Sequence, residues 1–498
     1  MPNKDDQVAK KKITKESSET LEESIVPVEK VETGIVSQRE LSRELGFKEA
    51  LSIGLGGTIG GGVFSVLGVV AGIAGPAAIL SFAFGGLLGL LIGYSYSKLA
   101  LRYPSAGGSY AFCKAAFGQY VGGFFGWLLW IGYLASCALY AYTFGIYFTH
   151  MILPEGSAAW LIKLVQSILS TVLIALSTAI NLKGVKETGR SQNIIVLIKV
   201  IILVFFVAIT IPVAIKKAPE NLVPFFPDEE GNPNNLFLGL ALTIVGTSIL
   251  FVAFEGLELI PNASEEIEEP QKNIPRSIFA TVLIATAIYL LVAFAALGGT
   301  NYTSFTGENA KDAEYALAIA AQPILGLAGK IIIIFGALFS TASAFNASLY
   351  GSSRLTYVMA RESIFPHFFQ RVSKKNRIPF VSILVISGIT LLITLTLNLQ
   401  QIAELASTIF LLLFATVSLS SLILRKEIKA NFLLPLLALL LSAGCFGLFL
   451  WHLISGMQDT GEGWLTLILL PVVILIAIVG SVITITLQKR GKKGRERN

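Results

Sequence analysis

Gly54-Leu55-Gly56-Gly57-Thr58-Ile59-Gly60-Gly61-Gly62 places six glycines within nine positions, in the middle of an apolar segment that runs from about Ala50 to Gly75. A second apolar segment, from about Phe237 to Ala263, carries Phe254-Glu255-Gly256-Leu257-Glu258-Leu259-Ile260-Pro261. Both read as membrane helices with an interruption. In lipid every backbone N–H and C=O must be paired, so an interrupted helix survives only where it lines a cavity or is buried in protein. Two interrupted helices at matching places in two halves of a chain are the best sequence pointer to the binding site of a secondary transporter.

The rest of the chain agrees with a membrane setting. Of 498 residues 54% are hydrophobic and 14% charged, against about 25% charged in soluble domains. The apolar residues fall in continuous runs near the ~20 residues that a helix needs to cross a bilayer. They do not alternate, which excludes membrane strands. About twelve spans are predicted: 47–73, 76–99, 120–149, 159–181, 191–213, 237–262, 277–299, 325–358, 379–397, 401–424, 433–454 and 463–487. The fold class is therefore an all-α polytopic membrane protein.

Spans 1–5 are odd in number. If spans 6–10 repeat the same unit, the second copy enters from the opposite side, and spans 1 and 6 become equivalent and antiparallel. These are the two spans with glycine-rich interruptions. The organisation predicted is a tail at 1–43, a first repeat at 44–215, an inverted second repeat at 216–425, two peripheral helices at 426–488 and a basic tail at 489–498.

The net charge of +6 is spread by topology rather than gathered on one soluble face. Lys98, Arg102 and Lys114, then Lys183, Lys186 and Arg190, then Lys272 and Arg276, then Arg354 to Arg377 all fall on one side of the membrane. That bias sets both termini in the cytoplasm and the protein in the plasma or inner membrane. It gives no support to nucleic acid as a partner. Residues 1–43 lack an apolar core and are not a signal peptide. Cys113, Cys137 and Cys445 are isolated, as are the three histidines, so no metal and no cofactor is expected.

The chemistry of the interruptions suits a zwitterion. A half-helix beginning near Gly61 would present free N–H groups and a positive dipole end to a carboxylate. A half-helix ending near Gly57-Thr58 would present carbonyls to an ammonium, with carbonyls around Val252 and Glu255 completing the site. The plainer reading is that the glycines allow close helix packing of the small-xxx-small kind. Glu255 and Glu258 would hold a proton, contact substrate or cap an interrupted helix. Tyr133, Phe254 and Asn346 are candidates to line the pocket. The run Glu265, Glu266, Glu268 and Glu269 reads as a solvated loop, or, with Arg354 and Arg361, as an inner gate.

Lys199 is the most unusual single residue, an ionisable group deep in span 5, within Asn193-Ile194-Ile195-Val196-Leu197-Ile198-Lys199. Intramembrane charges are costly and by default functional. The alternative is a lysine snorkelling to the interface.

Gly60-x-Gly62-Val63-Phe64, Tyr103-Pro104-x-x-Gly107-Gly108-x-Tyr110, Ala253-Phe254-x-Gly256-x-Glu258 and the stretch from Ala263 to Arg276 resemble the amino acid–polyamine–organocation (APC) permeases. The resemblance covers about residues 45–425. The stretch from Gly336 to Gly351 is similar to proton-coupled, broad-specificity amino acid transporters of prokaryotes. The resemblance implies a five-plus-five inverted repeat with broken helices 1 and 6, alternating access, and no enzymatic step. It also implies carboxylate binding at the amides of Gly61 and Gly62, and ammonium binding at the carbonyls of Thr58, Val252 and Glu255. The full substrate-binding set is Thr58, Ile59, Gly60, Gly61, Gly62, Tyr133, Val252, Phe254, Glu255, Gly256 and Glu258. In the resembled transporters a lysine in helix 5 occupies the place of a sodium ion. Here it would be Lys199, reaching carbonyls near Gly54-Leu55 and a hydroxyl among Ser340, Thr341 and Ser343. The function expected is amino acid–proton symport, with an exchanger, a sodium symporter or a non-transporting amino acid sensor as alternatives.

Overall fold

The computed structural model describes residues 45–154, 156–183, 186–226, 236–305, 313–373, 378–459 and 464–495. The expected tail at 1–43 lies outside them. Ten stretches among the described residues are long and apolar enough to cross a membrane. The first, Phe47–Arg102, holds two helices, α1 (Phe47–Ala74) and α2 (Ala78–Arg102). They are joined by a 3-10 turn at Gly75–Ala77, where Gly75 takes φ 58° and Pro76 begins the turn. With the shorter apolar helix α11 (Phe380–Thr396), this accounts for the twelve predicted spans.

Between them lies α3 (Ser109–Phe117), the short helix after the Pro-Gly-Gly turn. Then come α4 (Gln119–Ile152), α5 (Ala159–Lys183) and α6 (Lys186–Asn221). Span 6 is divided into α7 (Leu236–Ile249), a 3-10 segment (Leu250–Phe254) and α8 (Gly256–Asn262). The remainder is α9 (Pro270–Gly299), α10 (Ala316–Arg361), α12 (Leu399–Ile423), α13 (Leu433–Asp459) and α14 (Trp464–Arg495). α10 bends at Gly326, whose φ of 64° is open to glycine without strain. α14 continues to Arg495, so most of the expected basic tail is helical.

Burial sorts the helices by role. The apolar windows of α1–α2 and of span 6 are 78% and 72% buried, whereas those of α5, α13 and α14 are 22–28% buried. The glycine-rich spans therefore lie inside the bundle, together with α4 and α12, while α13 and α14 are largely exposed. Lipid-facing helices gain nothing from hydrophobic exclusion of one another, so contact at the axis must come from small residues and interhelical hydrogen bonds.

Candidate functional site

Span 1 departs from its predicted form. α1 is one uninterrupted helix through Gly57-Thr58-Ile59-Gly60-Gly61-Gly62, so the amides of Gly61 and Gly62 belong to the helix rather than standing free. The glycines serve contact. A Cβ on Gly60 would lie 2.0 Å from the Ala344 Cβ, one on Gly61 2.1 Å from the Tyr140 ring, and one on Gly62 2.5 Å from the Ala253 Cβ. On the facing helix, a Cβ on Gly256 would lie 2.1 Å from the Thr58 hydroxyl and 2.3 Å from the Gly54 carbonyl. Span 1 and span 6 thus meet backbone to backbone.

Three outside donors reach the carbonyls of α1 in this zone. Lys199 Nζ donates to the Gly56 carbonyl at 2.9 Å, the Tyr289 hydroxyl donates to Thr58, and the Ser340 hydroxyl donates to Ile59 at 2.7 Å. A carbonyl has two lone pairs, so each can accept a side chain while keeping its place in the helix.

Span 6 is interrupted as predicted, though not by its own glycine. Ser407 of α12 donates its hydroxyl proton to the Ile249 carbonyl and accepts the Val252 N–H at 3.2 Å. One hydroxyl thereby stands between a carbonyl and an amide of the same helix, and the chain tightens into the 3-10 segment. The Val252 carbonyl is taken by the Glu255 N–H at 3.2 Å and the Glu255 carbonyl by the Glu258 N–H at 2.9 Å. Tyr289 also donates to Ala253 at 3.3 Å, so one phenol holds a carbonyl of each central span. Ser407 and Tyr289 carried no signal in the sequence beyond being polar groups inside spans.

The two carboxylates have different partners. Glu255 accepts from the Ser348 hydroxyl at 2.7 Å and the Tyr140 hydroxyl at 2.9 Å, joining span 6 to α10 and α4. Glu258 accepts from the Ser109 amide at 2.7 Å and from the Ser109 and Tyr96 hydroxyls at 2.5 Å each. It ties α8 to α2 and to the start of α3. Gly108 permits this: it has φ 47°, and a Cβ there would lie 2.0 Å from Asn262 Oδ1 and 2.2 Å from Glu258 Oε1. Both carboxylates are fully buried.

The other candidates are placed as follows. Tyr133 is buried and accepts from the Asn262 amide at 2.7 Å. Phe254 is buried, with its ring edge-on to Tyr289 at 5.9 Å. Asn346 is turned away from the axis and accepts from Asn181 of α5 at 2.6 Å. Lys199 is fully buried and reaches Gly56, not the expected Gly54-Leu55. The Gly54 carbonyl is taken instead by the Thr58 hydroxyl at 2.8 Å, one helical turn on. The expected hydroxyls are also engaged elsewhere, Ser340 by Ile59, Thr341 by Ala337 at 2.7 Å and Ser343 by Gln192 at 2.9 Å.

The end of the bundle where α1 begins is clasped. Leu45 exchanges backbone bonds of 3.0 and 2.9 Å with Glu266 and Glu268. Glu266 pairs with Arg354, whose guanidinium lies 4.0 Å from the Tyr350 ring centroid. Glu362 accepts from Tyr110 and pairs with Lys114. Burial and that carboxylate push the Tyr110 phenol far above its ordinary value, so it stays a donor. Of the predicted acidic run, Glu266 sits in an ion pair while Glu269 makes only an exposed contact with Lys272 at 3.1 Å.

A profile of the amino acid permease family matches residues 49–484, nearly the whole membrane region just described. The chain belongs to the amino acid permease family. It is a membrane transporter of amino acids, with the APC fold, and not an enzyme. An uncharacterized protein of Methanocaldococcus jannaschii is 33% identical over 82% of this chain and 89% of its own. The methylthioribose transporter of Bacillus subtilis is 30% identical over 86% of this chain and 91% of its own. The branched-chain amino acid permease BcaP of the same organism is 26% identical over 89% and 93%.

Proposed function

We propose that this permease carries an amino acid together with protons by alternating access, and that Lys199 is the proton switch. The observation that carries the reading is the fully buried Lys199 Nζ, which donates to the Gly56 carbonyl at 2.9 Å. A charged donor holds that carbonyl more strongly than a neutral amine does. Protonated, Lys199 binds α6 to the glycine-rich zone of α1. Deprotonated, it loosens the same contact, and α1 is free to part from α8 and α10. Because a cation already stands on α1 from span 5, sodium coupling is disfavoured.

Substrate would enter between span 1 and span 6 when the glycine contact opens. Its carboxylate would take the amides of Gly61 and Gly62, and its ammonium the carbonyls of Thr58, Val252 and Glu255. Ile59, Gly60, Phe254, Gly256, Glu258 and Tyr133 would complete the lining. Those amides and carbonyls are engaged within the helices of the closed bundle, so binding and opening are one event in this reading. The Leu45, Arg354 and Glu362 contacts would close the cytoplasmic end, with both termini on that side of the cell membrane. The two five-helix repeats would be residues 44–215 and 216–425. Relatives whose names give branched-chain amino acids and methylthioribose as cargo share this scaffold, so selectivity would rest on the side chains of the lining.

The test is uptake of a panel of labelled amino acids into proteoliposomes, with and without an inward proton gradient. Sodium-independent uptake driven by the gradient, and lost in Lys199→Ala, is expected. A mutant that keeps full proton-driven uptake eliminates the Lys199 switch, and uptake that requires internal amino acid makes the protein an exchanger.

A further inference from the structure

Lys199 is 0% exposed, so a proton that leaves it needs a path to water. α6 packs against α1, α9 and α10. These three helices hold one carboxylate between them, Glu49 in the first turn of α1. Their cations are also set off along the helices. Lys48 stands beside Glu49, Lys272 and Arg276 at the start of α9, and Lys330, Arg354 and Arg361 on α10 are roughly three turns or more from Ser340. Tyr289 of α9 is engaged by Thr58 and Ala253. No carboxylate of these helices stands beside Lys199 to take its proton, and water must carry it.

The face of α6 that holds Lys199 differs on its two sides. Leu203 and Phe206, 0% and 1% exposed, follow at helical spacing and are apolar. Before it come Val196 at 5% and Gln192 at 8%. Gln192 lies about 10 Å back along the helix and on nearly the same face. Its amide nitrogen donates to the Ser343 hydroxyl of α10 at 2.9 Å. The same amide lies over Gly56, where an added Cβ would come within 2.2 Å of Nε2. Gly56 is also the residue whose carbonyl Lys199 holds. Gln192 thus fills the slot that a missing side chain leaves on α1, next to the Lys199 contact.

This bridge lies on the clasped side of Lys199. Gln192 meets Ser343, while a Cβ on Gly336 would lie 2.8 Å from Ile202, so α6 runs antiparallel to α10. α10 finishes at the clasped end, where Arg354 pairs with Glu266, and α6 therefore starts there. Toward that end the groove is closed by a polar amide, which is able to bond water once it gives up Ser343. Toward the other end it is closed by apolar side chains.

We infer that the Gln192–Ser343 bridge is the gate through which Lys199 exchanges its proton with the clasped end of the bundle. Closed, it keeps water from Lys199. Opened, it admits water from that side alone. The gate rests on the Lys199 switch proposed above, and the two fail separately.

The test is solvent access at position 199. Full-length protein carrying Lys199→Cys, in phosphatidylcholine nanodiscs, is treated with a membrane-impermeant, negatively charged thiol reagent. The parent, whose Cys113, Cys137 and Cys445 are all buried, supplies the background. A buried thiol reacts through an opened form, so its rate tracks the population of that form. Removing one ordinary hydrogen bond multiplies such a population roughly two- to tenfold, and adding Gln192→Ala should speed labelling by that factor. Should that pair not fold, Ser343→Ala keeps the glutamine and removes its partner. Labelling no faster in either variant overturns the inference. Proteoliposomes of chains that keep Lys199 give the second readout. Gln192→Ala should lose stimulation by an inward proton gradient while exchange of internal for external amino acid continues. Stimulation equal to the parent's overturns the gate, as does an equal fall in both modes, which marks a merely structural glutamine. If the parent shows no gradient-driven uptake, or Lys199→Ala keeps it, the switch has failed and the gate with it, whatever the labelling shows. If gradient-driven uptake depends on Lys199 but the bridge alters neither labelling nor coupling, the gate alone has failed.

Discussion

Span 1 and span 6 carry the same kind of sequence signal and take different forms. The nine-residue run of span 1 holds six glycines and is a continuous helix. The stretch of span 6 that departs from α-helix, Leu250–Phe254, holds none. The difference lies in which backbone group is diverted. On α1, Lys199, Tyr289 and Ser340 only donate, and they use spare lone pairs on carbonyls. On span 6, Ser407 donates to a carbonyl and also accepts an amide, so it takes the place of a helical rung. A helix tolerates additional donors on its carbonyls and yields when an N–H is taken from it. Glycine then decides how closely helices approach, and a hydroxyl from a neighbour decides where one of them gives way.

The strongest way to break this comparison is to separate the two spans. In Gly256→Val the added Cβ meets the Gly54 carbonyl, a backbone atom that cannot swing aside, and the Thr58 hydroxyl. Overpacking of this kind costs about 1–3 kcal/mol or more. A large fall in the detergent melting temperature with loss of uptake is expected. A variant that melts and transports like the parent removes the backbone-to-backbone contact from the account. Ser407→Ala comes next. It removes a partner from the buried Val252 N–H and from the Ile249 carbonyl, at a cost of up to roughly 1–3 kcal/mol, unless span 6 closes into a continuous helix. Hydrogen exchange over residues 249–255 reads the result. Faster exchange reports the weakened amide and slower exchange a healed helix, whereas an unchanged pattern rules out Ser407 as the cause of the interruption.

The fold was legible because its signals are local and additive. Runs such as 77–97 and 196–213 reveal spans through hydrophobicity alone. The centrality of the glycine segment was legible for the same reason, since only buried helices can use so many small residues. What those glycines do was not legible, because free amides and tight packing call for the same residue. Ser407, Tyr289 and Gln192 were invisible for a different reason. Their roles depend on partners more than a hundred residues away for Ser407 and Gln192, and for Tyr289 on two carbonyls in separate spans. Glu258 was found as an acidic position, yet its attachment to the Ser109 amide depends on the left-handed turn at Gly108. Lys199 was found because charge in a membrane span is rare enough to announce itself, while its partner was misplaced by one to two residues along α1.

Tyr289 sharpens the comparison with an intermediate effect, because its single proton is shared between Thr58 of span 1 and Ala253 of span 6. Tyr289→Phe keeps the ring and its contacts with Phe82 and Phe254. Thr58 keeps its place in the continuous helix α1, so the loss should be close to one ordinary hydrogen bond, about 0.5–1.5 kcal/mol. A melting shift larger than that of Ser407→Ala contradicts the ordering.

The smallest effect is expected at Ser340. Its hydroxyl donates to Ile59 at 2.7 Å, but that carbonyl sits within an unbroken helix and loses only its second acceptance in Ser340→Ala. The removed hydroxyl itself leaves no buried donor behind. The stability change should therefore stay near or below about 1 kcal/mol, with exchange of the α1 amides around 59–63 unaltered. The contrast with Ser407→Ala is informative because both variants delete one serine hydroxyl from an interhelical contact at the axis. If the two produce equal shifts and equal exchange changes, the distinction between donating to a helix and replacing one of its rungs has no energetic content. If Ser407→Ala is clearly the larger and only it alters backbone exchange, the different forms of span 1 and span 6 follow from the diverted amide rather than from glycine content.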